Sequence, residues 1–318
     1  MKNKNLIKIT VYSLTIVLVV FICSLSIYKG SINSETPEKL KTKVPDLLSI
    51  GEENDEKKSV GIPHQLKSGP YEEMPWVNDV DFKVAVQNNN TPTLLGGYKT
   101  VLRDPLPGEE YNVHLAAKLL AGIVVKPGEV FSQNNSIGPY IESKGFQKGP
   151  TYIGSQLTTT IGGGVCKIAS TLYNVSILSN VDIVERHAHS MPVPYVPYGQ
   201  DATVAFGARD FRFKNNTGSN ILIWAQGIDN TLYMAFYGVS KPPKIEWGHE
   251  VQSIQKAQKT YKTNPSLPQG TEKLILEGMD GAVIRSWITI TAPDGTKTVK
   301  QLGISSYKPM NHLYEKSG

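Results

Sequence analysis

Cysteine is scarce in this 318-residue chain, which has only Cys23 and Cys166. Two cysteines are too few for the disulfide framework of a small secreted domain. A large excess of positive charge is also lacking. The formal net charge is +5, three of the lysines fall in the first eight positions, and no basic stripe follows. Nucleic acid is therefore not an expected partner. The phosphate-loop pattern G-x-x-x-x-G-K-[ST] is missing as well, which argues against a nucleotide site.

The N-terminal segment predicts the cellular location. Positions 9–28 carry no charged residue and are rich in Leu, Ile and Val, whereas positions 1–8 carry three lysines. A run of about 20 apolar residues is long enough to cross a bilayer. Lysines in front of it favour a cytoplasmic N-terminus with the bulk of the chain outside. No A-x-A cleavage site follows, so we expect a single-pass anchor in the cytoplasmic membrane rather than a cleaved signal peptide.

The remaining chain predicts an α+β fold. Positions 29–75 are rich in charged residues and contain few large apolar ones. This composition predicts a flexible linker. Apolar residues at helical spacing then predict a helix after Asn112 and a second one from Cys166 to about Ser179. Beyond it the apolar period changes to two. The strands predicted there are Asp182–His189, Ala202–Phe206, Asp210–Lys214, Asn220–Gln226 and Leu232–Tyr237. We expect Cys166 at a helix N-terminus, with the helix packed on antiparallel strands.

Cys166 is the strongest candidate for a reactive group. It follows three glycines and opens the second predicted helix, and it has no cysteine to pair with in the predicted outside part. A helix N-terminus favours the thiolate. Backbone N–H groups of Gly163 and Gly164 are candidate donors to an oxyanion. The alternative is that Cys166 is a small buried residue after a tight turn.

A nucleophilic cysteine needs a base, and two histidines are candidates. A strand running back along the helix would return His189 to the level of Cys166, since about 23 Å of strand matches about 20 Å of helix. His187 falls short of that level. Asp201 and Asp210 are both candidates for the group that orients the histidine. The His-x-His pair beside Cys166 also admits a zinc site, which we disfavour because no fourth ligand lies close by.

Several motifs resemble the VanW family. They are Pro-Gly-Glu-Val-Phe-Ser at 127–132, Gly-Gly-Gly-Val-Cys at 162–166, Ser-Thr-Leu-Tyr-Asn at 170–174 and Asp-Ala-Thr-Val at 201–204. The resemblance spans about residues 94–240, and Lys167 departs from the family's usual Gln. The family is named for glycopeptide (vancomycin) resistance and has been linked with L,D-transpeptidase chemistry on peptidoglycan.

This resemblance implies roles for individual residues. Cys166 would attack a stem peptide of peptidoglycan, and His189 would be the general base. Arg186 and Arg209 would bind substrate carboxylates, because a guanidinium matches a carboxylate through two hydrogen bonds. Neither a metal nor a cofactor is expected. The alternative is a non-catalytic protein that binds peptidoglycan or assists glycopeptide resistance.

The C-terminal region carries a second resemblance. Glycine-containing motifs near residues 264–281 and 293–295 resemble a G-five domain, a small elongated all-β module. The predicted organisation is therefore a cytoplasmic segment at 1–8, an anchor at 9–28 and a linker at 29–75. A VanW domain at 76–240 and a G-five-like domain at 245–318 follow.

Overall fold

The computed structural model describes residues 67–102, 105–153 and 156–318, which belong to one compact unit. The predicted cytoplasmic segment, the predicted anchor at 9–28 and the predicted linker up to residue 66 lie outside these ranges. Within them, no helix is both long and apolar enough to cross a bilayer. Residues 67–75, which precede the predicted domain start at residue 76, are already part of this unit. Strand β1 (Gly69–Pro70) pairs with a longer strand, and Met74 is buried.

The described residues form an α+β fold with four α-helices and sixteen strands. The helices are α1 (Val80–Asn89), α2 (Glu109–Leu120), α3 (Gln133–Ile137) and α4 (Cys166–Leu178). A single 3-10 turn covers Glu142–Lys144. Helix α1 was not predicted, because among its residues only Phe82 is buried and no apolar face marks it.

The central sheet has the order β1-β2-β10-β9-β3 and is antiparallel throughout. Its other members are β2 (Thr93–Val101), β3 (Val124–Val125), β9 (Ile221–Ile228) and β10 (Thr231–Gly238). Asp229, at φ 47°, takes the left-handed conformation that a tight hairpin turn between β9 and β10 requires. Helices α2 and α4 pack on this sheet. Most of α4 is therefore buried, in the main hydrophobic core.

Two smaller sheets lie beside the helices, one next to α4 and the other next to α2. One has the order β4-β8-β7 and consists of β4 (Val130–Ser132), β7 (Asp182–Glu185) and β8 (Arg212–Lys214). The other is the hairpin of β5 (Lys148–Ile153) and β6 (Gln156–Ile161). The sequence analysis did not predict this hairpin.

The C-terminal region contains two three-stranded sheets. The first, β11-β14-β15, is formed by Lys244–Gln255, Gly281–Thr291 and Lys297–Tyr307. The second, β12-β16-β13, is formed by Lys259–Thr263, His312–Lys316 and Glu272–Leu276. Ile288 of β14 belongs to the main core, and Trp247 of β11 packs against it. The region around α4 and the first C-terminal sheet thus share one core.

One predicted strand is shorter than expected, and another is absent. The predicted strand Asp182–His189 ends at Glu185, and residues 202–206 form no strand. Instead, the Thr203 N–H donates to the His187 carbonyl at 2.9 Å, and Ala205 forms an isolated bridge with Arg209. These segments contact each other locally without joining a sheet, which leaves their side chains free to meet at Cys166.

Candidate active site

Cys166 is the first residue of α4, and its side chain is partly exposed. The Sγ atom lies 3.4 Å from the Thr203 hydroxyl and 3.6 Å from the Val204 carbonyl oxygen. The first residues of a helix have N–H groups without an intrahelical partner. The Thr203 hydroxyl and an N–H group of this first turn can therefore stabilise the thiolate, whereas the Val204 carbonyl oxygen accepts a hydrogen bond only from the protonated thiol.

The glycine turn before α4 is held by close packing. Gly162 and Gly164 have φ values of +77° and +102°, which favour glycine. At Gly163, an added Cβ would lie 2.1 Å from the Gly149 carbonyl oxygen on β5. The buried amide of Asn112 donates to the carbonyl of Gly163 at 2.9 Å. The hairpin and α2 thus leave room only for glycine here and fix the backbone that leads to Cys166.

The same face of α4 holds the segment that carries Asp201. Cys166, Ser170 and Asn174 are spaced four residues apart, so they follow one another along one helix face. The Ser170 hydroxyl accepts the N–H of Ala202 at 2.9 Å, and the Asn174 amide donates to the carbonyl of Gln200 at 2.8 Å. These contacts place Asp201 on the same side of α4 as the thiol.

His189 connects Asp201 to the thiol. Its Nδ1 atom lies 2.7 Å from Asp201 Oδ2, and its backbone N–H donates to the same oxygen at 2.7 Å. The imidazole also lies near enough to the side chain of Cys166 for each group to shift the pKa of the other. Because Nδ1 is bound to the carboxylate, Nε2 is the ring nitrogen that remains for sulfur. The three side chains are arranged as nucleophile, base and orienting acid.

The pKa values of the pair favour charge separation. Burial raises the pKa of the Cys166 thiol, but His189, with the Thr203 hydroxyl, brings it down to about 7. Burial lowers the pKa of His189, but Asp201 and Cys166 raise it to about 9. Because the thiol pKa lies below the imidazole pKa, a thiolate–imidazolium pair is the dominant form between about pH 7 and pH 9.

Asp201 rather than Asp210 adjoins the histidine. Asp201 is almost fully buried, and His189 and Arg186 lower the pKa of its carboxyl against the effect of burial. The Asp210 carboxylate instead accepts the hydroxyl of Ser132 and, at 2.9 Å, the backbone N–H of Asn134. The sequence left both aspartates as candidates for the group that orients His189, and the geometry selects Asp201.

Arg186 does not bind a substrate carboxylate in this arrangement. Its guanidinium donates to the carbonyl of Asp201 at 2.7 Å, to Asp201 Oδ1 at 3.0 Å and to the Ser305 hydroxyl at 2.9 Å. The side chain is 14% exposed and lies over the ring of Tyr173. The predicted substrate role is therefore corrected: Arg186 neutralises and holds Asp201.

The structure places the predicted substrate-binding residues Arg209, Gly163 and Gly164 in different environments. Arg209 is exposed, at the end of a tight turn that starts just after Val204, and its side chain forms no hydrogen bond or ion pair with the described residues. The N–H of Gly163 donates to the carbonyl of Thr160 at 3.1 Å and is unavailable to an oxyanion, so that prediction is wrong. The N–H of Gly164 has no acceptor among residues 67–102, 105–153 and 156–318.

His187 lies apart from this site. Its ring pairs with the Glu185 carboxylate at 3.0 Å, and the side chain is 41% exposed. As to the disfavoured zinc site, the described residues contain no group of three or more His, Cys, Asp or Glu side chains that could hold a metal ion.

Sequence reasoning missed several side chains around the thiol. Burial, and then the charge on Cys166, raise the pKa of Tyr195, which therefore stays protonated. Lys167 pairs with the buried carboxylate of Glu109 and lies 4.6 Å from the centroid of the Tyr195 ring. Tyr307 donates to Asp201 from the C-terminal strand β15. No local pattern in the sequence marks these contacts, because they join distant parts of the chain.

Comparison with known proteins identifies the region around this site. The family model described as "VanW like protein" matches residues 108–237. An uncharacterized protein of Bacillus subtilis, YoaR, is 37% identical over 143 residues, which are 45% of this chain and 47% of that protein. The vancomycin B-type resistance protein VanW of Enterococcus faecalis is 28% identical over 166 residues, 51% of this chain and 58% of that protein. The chain thus spans about half the length of these curated relatives.

Two solved structures are similar to short parts of the chain. One is the crystal structure of HP0197-G5, at 20% identity over 23% of this chain and 92% of that one, with a TM-score of 0.14. The other is the IgA1 protease G5 domain, at 19% identity over 24% of this chain and 92% of that one, with a TM-score of 0.16.

Proposed function

Taking residues 108–237 as a VanW-like domain, we propose that this chain is an extracytoplasmic cell-wall protein in which Cys166 transfers acyl groups through a thioester. One observation carries the proposal. The Cys166 thiol lies near enough to His189 for each group to shift the pKa of the other, and Nδ1 of that histidine is held by the buried carboxylate of Asp201. A thiol with a pKa of about 7 is a strong nucleophile at neutral pH.

The chemistry follows from the thiolate–imidazolium pair. The thiolate attacks the carbonyl carbon of an amide, and a tetrahedral oxyanion forms. As the C–N bond breaks, the His189 imidazolium gives its proton to the leaving amine, and a thioester on Cys166 remains. An acceptor amine then attacks the thioester while His189 takes its proton, which restores the thiolate and the imidazolium. The N–H groups of Gly164 and Cys166 are the proposed oxyanion donors.

The substrate class is proposed from the relatives. The Enterococcus faecalis relative is named a vancomycin B-type resistance protein, and vancomycin acts on the cell wall. We therefore place the substrate in peptidoglycan, as an L,D-transpeptidase-type reaction on a tetrapeptide stem. The predicted anchor at 9–28 would hold the protein at the outer face of the cytoplasmic membrane. The predicted G-five-like region would adjoin the wall.

The test is detection of the thioester. The purified protein is incubated with a tetrapeptide stem that ends in a D-residue, and intact mass spectrometry is used to look for the acyl adduct. We expect an adduct in the wild type and in His187→Ala, whose ring pairs with Glu185, and none in Cys166→Ala. Turnover retained by Cys166→Ala would end the proposal. No adduct in a folded wild type with a reactive thiol would favour the accessory, non-catalytic function. Muropeptide analysis of cells with and without the protein then identifies the product.

A further inference from the structure

The C-terminal sheet β11-β14-β15 reaches the carboxylate that holds His189. Tyr307, the last residue of β15, donates its hydroxyl hydrogen to Oδ1 of Asp201. The same hydroxyl oxygen accepts the N–H of Gly199 at 2.9 Å. Tyr307 is 4% exposed, so both hydrogen bonds lie inside the protein. A residue 106 positions away in the chain thus completes the surroundings of Asp201.

A second contact from the same strand supports Asp201 indirectly. Arg186 donates from Nη1 to the buried hydroxyl of Ser305 at 2.9 Å, and from Nη2 to Asp201 Oδ1 at 3.0 Å. Ser305 and Tyr307 are two residues apart on β15, so their side chains share one face of the strand. That face therefore contacts Asp201 once directly and once through Arg186.

The four hydrogen bonds of the carboxylate divide evenly between its oxygens. Oδ1 accepts from Arg186 and Tyr307, and Oδ2 accepts from the backbone and the ring of His189. A carboxylate oxygen has two lone pairs, so both sites of Oδ1 are occupied by donors other than the histidine. This division fixes the rotation of the carboxylate and directs Oδ2 towards Nδ1 of His189.

We propose that Tyr307 is a positioning residue of the Cys166 site, so that the C-terminal sheet is a working part of that site. The importance of this role for acyl transfer rests on the proposed function, whereas its effect on the thiol does not. Burial, and then the charge of Asp201, raise the pKa of Tyr307 to about 12. The hydroxyl therefore remains a hydrogen-bond donor throughout the range in which Cys166 and His189 titrate.

The experiment compares two Tyr→Phe variants of the full chain. Tyr307→Phe removes the donor to Asp201 and keeps the ring. Tyr198→Phe is the matched control, because its hydroxyl donates at 2.6 Å to the carbonyl of Asp280 in the C-terminal region and does not contact Asp201. For each variant, the rate of Cys166 alkylation by iodoacetamide is measured from pH 5 to 10, and thermal unfolding confirms the fold.

We expect Tyr307→Phe to raise the pH midpoint of alkylation by about one unit and to slow the reaction at pH 7 about twofold, because a weaker hold on His189 raises the thiol pKa less than the loss of His189 would. Tyr198→Phe should keep the wild-type midpoint. Equal profiles in both variants, whether both unchanged or both slowed, would overturn the proposal, because Tyr307 would then act only in packing. If Tyr307→Phe does not fold, Ser305→Ala decides, with a smaller shift in the same direction expected and an unchanged midpoint contradicting the proposal.

This outcome is separable from that of the proposed function. Alkylation requires the thiol and its neighbours but no peptide substrate. A wild type that shows the Tyr307-dependent midpoint and forms no acyl adduct would refute peptidyl transfer and retain the positioning role. An acyl adduct that forms equally well in Tyr307→Phe, with an unchanged pH midpoint of alkylation, would support peptidyl transfer and refute the positioning role.

Discussion

Replacing His189 with alanine tests the thiolate–imidazolium pair directly. In the wild type the thiol pKa is about 7, so about half of Cys166 is ionised at pH 7. The substitution removes the imidazole and the positive charge that lower this pKa, while the burial that raises it remains. We expect the pKa to return at least to the ordinary value of 9.0, at which about 1% of the thiol is ionised at pH 7.

The expected change in alkylation rate combines two opposing effects. The thiolate fraction at pH 7 falls about 50-fold for a rise of about two pKa units. A thiolate of higher pKa is intrinsically more nucleophilic, and a Brønsted coefficient of about 0.4–0.5 returns roughly six- to tenfold of that loss. The net expectation is labelling about five- to eightfold slower at pH 7. At pH 10 the order reverses, because the thiol is then ionised in both proteins and the variant thiolate is the stronger nucleophile.

The assay is the rate of iodoacetamide labelling, followed by mass spectrometry from pH 5 to 10. His187→Ala is the control, since that ring pairs with Glu185 and is 41% exposed. Its profile should match the wild type. An unchanged midpoint in His189→Ala, or the same slowing in both variants without a crossing at high pH, would refute the reasoning.

Two further predictions concern stability. Asp201→Asn leaves the charge of Arg186 without its buried partner, and the free energy of unfolding at pH 7 should fall by about 3–5 kcal/mol. Folding lowers the pKa of Asp201, so this loss should shrink as the pH falls through the folded-state pKa, and a loss constant into acid in denaturant titrations would contradict the ion pair. Gly163→Ala places a Cβ 2.1 Å from the Gly149 carbonyl oxygen and should cost about 1–3 kcal/mol. Gly69→Ala meets nothing within 4 Å and should change stability by less than about 0.5 kcal/mol; equal losses in both would show that the glycine turn is not tightly packed.

Local sequence patterns predicted the helices and strands in which apolar and polar residues alternate with a clear period. The apolar spacing after Cys166 gave α4 to within one residue of its observed end at Leu178. Strand β10 is longer than its predicted extent by one residue at each end. The hairpin of β5 and β6 was missed because its threonines and glycines resemble a turn region, and its strands pair only with each other. The helix α2 begins at Glu109, earlier than predicted, after Gly108 in a left-handed conformation.

The candidate site was predictable only where residue type limits chemistry. Cysteine, histidine and aspartate are few enough in residues 160–210 for Cys166, His189 and a choice of aspartates to emerge. The role of Arg186 was predicted wrongly, because a guanidinium binds a buried carboxylate as well as a substrate carboxylate. The sequence does not show which carboxylate lies nearer. The contact of Tyr307 with Asp201 depends on how the C-terminal sheet packs against the VanW-like region. The spacing of residues within that region does not predict this packing.

The hydrogen bond from Tyr307 to Asp201 also has a consequence for the order in which the chain is made. Synthesis proceeds from the N-terminus, so Cys166, His189 and Asp201 emerge before β15 exists. A chain that stops short of residue 307 carries the thiol and the imidazole and lacks the donor that completes the shell of Asp201. We therefore expect the cysteine of chains that end before β15 to be less strongly activated than that of the full chain.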